Sequence, residues 1–512
     1  GYKMNMNMKK VFCGILCGLL WGGSNVNAQK VLSQEQAELQ QLKKYEQNNP
    51  PKINMPLLVA EENEDLFGAR LMRSSTLLAT SSPERKQPVF VLIYGQSITG
   101  SKSFTDNIRE YLEQKFPYAN IRVENRSIGG FGGEQLIRPA VHDVYRACPD
   151  LIIFHVYGGE KHGELETFFS NVRKYTTADI ILMNHHINGS QDVIKYNPSS
   201  YNYLQFIANK YNCELVNVTR NWSRYLTENN LQVKDLLRDN THPNRNGNWL
   251  MAQLIGRHIQ VNTLYPSDWY KMVRSYYVNT ASDVNADNPI RFIGEPWKIE
   301  NGVACGEKGK LRLDFEGSRV DIVAGILPPG KKRGSARIFI DGKPVSQNKS
   351  LYTITRPSAG PGTWFPLVRR IEHKSALIPE TWTLKVTAVN SDSTVWSFDV
   401  YGSKTGFDGS GTSDRSFVSK SGRVIIQMED FMFAKIKAVF KNVTKPGFEA
   451  TWKVEPLFVD IYKSPIIEDE KVVYKTTIVQ GLTNSAHTLE IVPIGDGLVP
   501  IEAIEVHQPP LK

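Results

Sequence analysis

Ser97 follows directly on an apolar run over 88–94, within Gly95-Gln96-Ser97-Ile98-Thr99, and far downstream stands Asp239-Asn240-Thr241-His242. A serine hydroxyl is a weak nucleophile at neutral pH and needs an adjacent base to take its proton. His242 is the candidate base. Asp239, three residues earlier on the same short loop, can reach Nδ1 of the ring while Nε2 faces the serine. Each motif has a plainer reading when taken alone. An isolated Gly-x-Ser is more often a turn serine that caps the next helix, and Asp-x-x-His can be a capping aspartate beside an exposed histidine. Their order carries the argument: a strand-tip serine first, then Asp-x-x-His just before a last helix. These are the parts of a serine hydrolase.

A second loop, Asn125-Arg126-Ser127-Ile128-Gly129-Gly130-Phe131-Gly132-Gly133, holds four glycines. Glycines let backbone N–H groups approach a reacting oxygen, as an oxyanion hole requires. The same composition suits a flexible turn or a phosphate cradle, but no Gly-Lys-Ser/Thr follows and the spacing is not that of a dinucleotide fingerprint. His155, His162, His185, His186 and His242 lie together in this region, beside other histidines. His185 and His186, adjacent on an extended segment, point to opposite faces. His155 lies inside an apolar strand and reads as a satisfied core residue. With no His-x-x-x-His pair and no matching carboxylates, the sequence predicts no metal site and no cofactor.

The elements that must position these residues alternate in type. Strands are predicted over 88–94, 120–124, 151–156, 180–183 and 214–218. Helices are predicted from Thr105 as cap, over 165–175 and 201–211, and over 247–259 after the Asp-x-x-His loop. Such alternation is the pattern of a parallel sheet wrapped by helices, and ligands of open α/β sheets bind outside the carboxyl ends of the strands. Residues 33–47 are polar and helix-prone, Pro50-Pro51 ends that helix, and 52–87 reads as an irregular lead-in.

After Tyr270 the texture changes. Runs over 318–324, 336–340, 382–389 and 396–401, separated by Gly, Pro and Asn turns such as Asp341-Gly342, predict β-sandwich structure. Residues 402–416 read as a flexible linker. Thr383–Val386 with Phe398–Val400 resembles Thr488–Ile491 with Ile504–Val506, as two related modules ending in similar hairpins would. Trp364, Trp382, Trp396 and Trp452 are available to stack on sugar rings, although tryptophans at strand positions are more often core.

At 512 residues, 41% apolar and 22% charged, the chain is an ordinary globular sequence of two to four domains. Lys9-Lys10, an apolar run to Trp21 and Asn25-Val26-Asn27-Ala28 read as a secretory signal peptide over 1–28. The run is too short to span a membrane. Cys148, Cys213 and Cys305, scattered and odd in number, suggest buried thiols rather than a disulfide framework. The net charge of +9 is spread without a basic block, which argues against nucleic-acid binding.

From 88 to about 259 the chain resembles the SGNH (GDSL-like) hydrolases. Gly95-Gln96-Ser97 resembles their first block, with Gln where Asp is commoner; Asn125 to Gly130 resembles the second, and Asp239 to His242 the last. The resemblance implies an α/β, three-layer flavodoxin-like catalytic domain over 88–265, after a lead-in over 29–87. One or two β-sandwich (jelly-roll) domains are expected over 290–404 and 413–512. It also implies Ser97, His242 and Asp239 as triad, with Gly130 and the Ser97 N–H as oxyanion donors. The third block departs from the family: Tyr157-Gly158-Gly159-Glu160 stands where Gly-x-Asn-Asp is expected, so the asparagine of the third oxyanion contact is missing. Gly158, Gly159, Glu160, Asn184, His185 and His186 are the candidates for substrate or oxyanion support. The function implied is a secreted or periplasmic esterase removing acyl groups, foremost acetyl, from a polysaccharide or oligosaccharide. The alternatives are a hydrolase of the same fold acting on another glycan linkage or a lipid ester, and a non-catalytic glycan-binding protein. The sequence fixes no oligomeric state.

Overall fold

A computed structural model describes residues 33–50, 54–155, 163–189, 198–281 and 287–512. The signal-peptide reading of 1–28, Pro51, the Gly158-Gly159-Glu160 turn and His162 lie outside the described residues.

Five strands, β1 (Pro88–Tyr94), β2 (Asn120–Asn125), β3 (Leu151–His155), β4 (Asp179–Met183) and β5 (Glu214–Val216), form a parallel sheet in the order β2-β1-β3-β4-β5. This is the doubly wound order found in flavodoxin-like sheets. The sequence of β1 shows why it lies at the centre: Pro-Val-Phe-Val-Leu-Ile-Tyr is apolar on both faces, as a strand covered on both sides must be. Val89, Val91 and Ile93 enter one core with the helices Lys102–Lys115, Val218–Glu228 and Arg245–Gly256. Phe90, Leu92 and Tyr94 enter the other, with the helix Glu164–Tyr175.

Two local expectations give way. Ser101, not Thr105, caps the first helix, accepting from Ser103 N–H at 3.1 Å, while Thr105 is buried one turn inside. The lead-in contains a helix, Met72–Thr80, whose Ser74 N–H and hydroxyl both bond Asp179 at the start of β4 (2.8 and 2.6 Å).

The β-rich part is also divided differently from the expected 290–404 and 413–512. Two antiparallel sheets, one built on Lys310–Gly317, Ser335–Ile340 and Ser485–Pro493 and the other on Arg319–Ala324 and Val499–His507, share one core. The sandwich is therefore discontinuous in sequence. Inserted within it is a third antiparallel sheet, ordered Tyr352–Ile354, Glu449–Pro456, Thr381–Val389, Trp396–Gly402 and Gly406–Thr412. The expected linker at 402–416 contains the edge strand Gly406–Thr412, with Gly409 beside Phe417 and Gly411 beside Phe398 and Phe417. The hairpin repeat dissolves too: Thr381–Val389 pairs with Trp396–Gly402, but Ser485–Pro493 and Val499–His507 lie in different sheets. The Asp341-Gly342 turn does form, with φ of 55° and 77°, the two positive values of a tight type I′ hairpin.

The inserted sheet packs directly on the α/β unit. Leu384, Trp396, Phe398 and Trp452 belong to the same core as Phe90, Leu92 and Tyr94. Trp382, Trp396 and Trp452 are among the largest fully buried side chains, so none of the three presents a face to a sugar. Among the described residues no helix is long and apolar enough to cross a membrane.

Candidate active site

Each candidate residue comes from a loop at the carboxyl end of a strand or just before a helix. Ser97 lies in the turn after β1 and Gly130 in the loop after β2. Asp239 and His242 lie in the loop leading to the helix Arg245–Gly256, whose cap Asn244 accepts from Gly247 N–H at 3.0 Å. The Asp239 loop is folded around its own carboxylate. Asp239 Oδ1 accepts the N–H groups of Thr241 and His242, both at 2.7 Å, and the carboxylate meets His242 Nδ1 at 3.0 Å. Although burial alone would push the carboxyl up, these bonds hold it far below the usual carboxylate range.

Because Asp239 only accepts, the proton of neutral His242 sits on Nδ1 and Nε2 is left as the acceptor. Nε2 lies 3.0 Å from Ser97 Oγ. Ser97, His242 and Asp239 thus form one continuous chain of bonds. In the loop after β2, Gly130 has φ +83°, a left-handed conformation that favours glycine. Among the described residues neither Ser97 N–H nor Gly130 N–H donates to a protein acceptor.

Gln96, beside the serine, is fixed by a relay of histidines. Its Oε1 accepts Ile98 N–H at 2.9 Å, so its Nε2 donates to His155 Nδ1 at 3.0 Å, and His155 Nε2–H donates to His185 Nδ1 at 3.0 Å. Burial and the neighbouring histidines keep His155 neutral, its pKa well below the ordinary value. His155 is the bonded core residue its apolar strand suggested.

The proposed stand-ins for the missing third-block asparagine do other work. Asn184 Nδ2 donates to Asn217 Oδ1 (2.8 Å) and its Oδ1 accepts Thr219 N–H (3.0 Å), so both ends of the amide brace the start of the helix Val218–Glu228. His186 Nε2 donates to Thr241 O at 2.6 Å and so props the Asp-His loop; burial pushes its pKa down to about 3. His185 closes the relay to His155.

No family model and no curated protein matches this chain. Solved structures similar to it include a two-domain esterase (CEX) active on acetylated mannans. Its likeness is 14% identity over 86% of this chain and 96% of that chain, with a TM-score of 0.32. The same esterase co-crystallised with mannopentaose gives 13%, 84%, 93% and 0.30 in the same order. A catalytic mutant of Axe2, an acetylxylan esterase from Geobacillus stearothermophilus, is 21% identical over 36% of this chain and 98% of that chain, with a TM-score of 0.29. At these scores the likeness carries no argument about this chain, whose site rests on its own strand order and distances.

Gln34 and Glu38, which sequence reasoning passed over, and Trp364, which it offered only for stacking on sugar rings, complete the site. The helix Gln34–Asn48, begun by a capping box between Ser33 and Gln36, lays Gln34, Glu38 and Leu42 inward. Gln34 Oε1 accepts Gly129 N–H at 2.7 Å, and Gln34 Nε2 donates to Glu38 Oε1 at 3.3 Å. Farther along, Arg238 bonds Gln41 and Arg245 pairs with Glu46 at 2.7 Å, so the helix runs along the rim from the glycine loop to the Asp-His loop. Trp364, from the inserted β-module, donates to Gly129 O at 3.0 Å. The spacing i, i+4, i+8 of Gln34, Glu38 and Leu42 marked one face of that helix, but two of the three are polar and gave no apolar stripe.

Glu38 yields a stability prediction. Burial pushes its carboxyl up to about 7 from 4.5, although the charges of His242 and Arg238 pull it back. A carboxyl whose folded pKa is raised contributes stability that is complete below its unfolded pKa and lost as pH rises through the folded value. Glu38→Gln keeps the shape without the ionisation. Its unfolding free energy is expected to exceed that of the parent well above pH 7, by an upper bound on the order of 3 kcal/mol, with a correspondingly higher thermal midpoint, and to match it at low pH. Differential scanning calorimetry across that range checks it, and an equal gain at both ends would contradict the titration as cause.

Proposed function

We propose that this chain is a serine esterase that removes acyl groups, foremost acetyl, from hydroxyls of a polysaccharide or oligosaccharide. The observation that carries the reading is the 3.0 Å contact of Ser97 Oγ with His242 Nε2, while Asp239 holds the other ring nitrogen.

In this mechanism Ser97 Oγ attacks the ester carbonyl and its proton passes to His242 Nε2. The carbonyl electron pair moves onto oxygen, which the Ser97 and Gly130 N–H groups receive. Collapse of this intermediate breaks the bond to the sugar oxygen, which takes the proton from His242. Water, deprotonated by the same nitrogen, then attacks the acyl-serine, releasing acetate and restoring the serine. Asp239 stabilises the imidazolium at both stages without itself taking the proton.

The accessible residues of the Asp239–His242 loop and its start, half-buried Arg238 and Asp239 and exposed Asn240, are polar, which supports a hydroxylated leaving group over a long-chain lipid. Residues 1–28 would direct the enzyme out of the cytoplasm. The test is acetate release from p-nitrophenyl acetate and from a panel of acetylated xylan, mannan and pectin. Release from at least one glycan is expected; glycan binding without release from any ester would contradict the reading.

A further inference from the structure

The Gly129–Gly130 peptide is gripped from outside the parallel-sheet unit. Gln34 Oε1 takes Gly129 N–H at 2.7 Å, and Trp364 Nε1–H donates to the Gly129 carbonyl at 3.0 Å, across 235 residues of sequence. The Gly129 carbonyl and the Gly130 N–H belong to one peptide plane. The peptide is trans, so these two groups point to opposite sides and fixing one fixes the other.

Such a peptide needs holding. Flanked by glycine on both sides, it loses more conformational freedom on ordering than any other pair, and a flipped plane would turn the Gly130 N–H away from Ser97. Trp364 is itself fixed, with edge-on ring contacts to Phe440 and Phe365 at centroid distances of 5.0 and 6.3 Å. The Phe365 ring lies against Gly130, 3.3 Å from where a Cβ would stand. Gln34 completes the arrangement. By occupying the Gly129 N–H it leaves the Gly130 N–H as the loop's donor beside that of Ser97.

Resting on the esterase reading above, we propose that Trp364 is a positioning residue for the oxyanion hole: its indole N–H holds the Gly129 carbonyl so that the Gly130 N–H faces the oxygen that develops charge. Trp364 touches no reacting atom and acts through this peptide alone. The inserted β-module thereby supplies part of the geometry of catalysis.

Trp364→Phe keeps an aromatic ring against Phe440 and Phe365 and removes the donor. In the full chain its kcat on p-nitrophenyl acetate is expected to fall about tenfold or more, towards the 10²–10³-fold loss of a deleted oxyanion donor. KM should stay within about twofold, the signature of an interaction made in the transition state. Affinity for an alkylboronic acid, whose serine adduct carries the tetrahedral oxygen, should fall by a similar factor. A folded variant with kcat and boronate affinity unchanged would overturn the proposal. Should Trp364→Phe not fold, 3-benzothienylalanine at position 364 exchanges only the N–H for sulfur, and the same two outcomes decide. The parent chain is assayed alongside. If it releases no acyl group from any ester, the esterase reading fails and the inference with it; an active parent with an unaffected variant refutes the inference alone.

Discussion

Ser97→Ala is expected to lower kcat by about 10⁶-fold, and His242→Ala by as much, with the double variant no worse than either, because the members of such a unit act together. The structure gives the reason. Among the described residues the Ser97 hydroxyl has two partners, His242 Nε2 at 3.0 Å and Gln96 Oε1 at 3.4 Å, and of these the imidazole is the one able to take its proton. Removing the hydroxyl leaves the Gln96–His155–His185 relay intact, so the variant should melt close to the parent. Asp239→Asn is expected to cost about 10⁴-fold by presenting the wrong hydrogen-bond partner to Nδ1. It should also melt lower, since Asp239 organises two backbone N–H groups of its loop. That depressed carboxyl contributes stability above its ordinary pKa of 3.8 that is lost as pH falls through the folded value. The melting difference should therefore vanish in strong acid. Steady-state kinetics with calorimetry on the three variants checks each part.

The second large effect concerns the β-rich half. A chain ending at Val278 retains every residue of the triad, yet it is expected to be aggregated and inactive on p-nitrophenyl acetate and polymer alike. Asp143, 4% exposed, is held by three short bonds to Arg356 (2.7 to 3.0 Å), and His142 is bonded between Ile354 O and Ile371 N–H. Arg73 joins Asp150 to Glu505, and Arg138 pairs with the buried Asp430. Removing one side of a buried ion pair typically costs about 3–5 kcal/mol, and truncation removes one side of several. It also strips the inserted sheet from the face of β1 that carries Phe90, Leu92 and Tyr94 and takes away the Trp364 hold on Gly129. Solubility and light scattering, with activity on both substrates, measure this. A soluble, monodisperse fragment with parental activity on p-nitrophenyl acetate would contradict it.

What was legible in the sequence was what is local or periodic. β1 to β5 could be read because each is a short apolar run ended by polar or glycine turns, and the strand-tip Ser97 and the Asp239–His242 loop because their spacing is itself the geometry. The course of the β-half was not legible. Lys310–Gly317 chooses Ser485–Pro493 as its neighbour across the inserted module, and strand patterning says which residues face inward but not which strand lies alongside. Gln34 and Trp364 were hidden for the same reason: each contacts Gly129 by one side-chain atom, across 95 and 235 residues. Asn184 misled because a buried amide at the end of a strand looks like a site residue until both of its ends are found bonded to the next helix.

The central claim is that Ser97 is the nucleophile, and the most direct measurement is covalent capture. The full chain is treated with a fluorophosphonate, digested, and the modified peptide located by mass spectrometry. The structure predicts one adduct, on Ser97, formed at a rate that collapses in His242→Ala. Acyl-ester hydrolysis by a chain left unlabelled at Ser97, or an adduct on another residue, would contradict it.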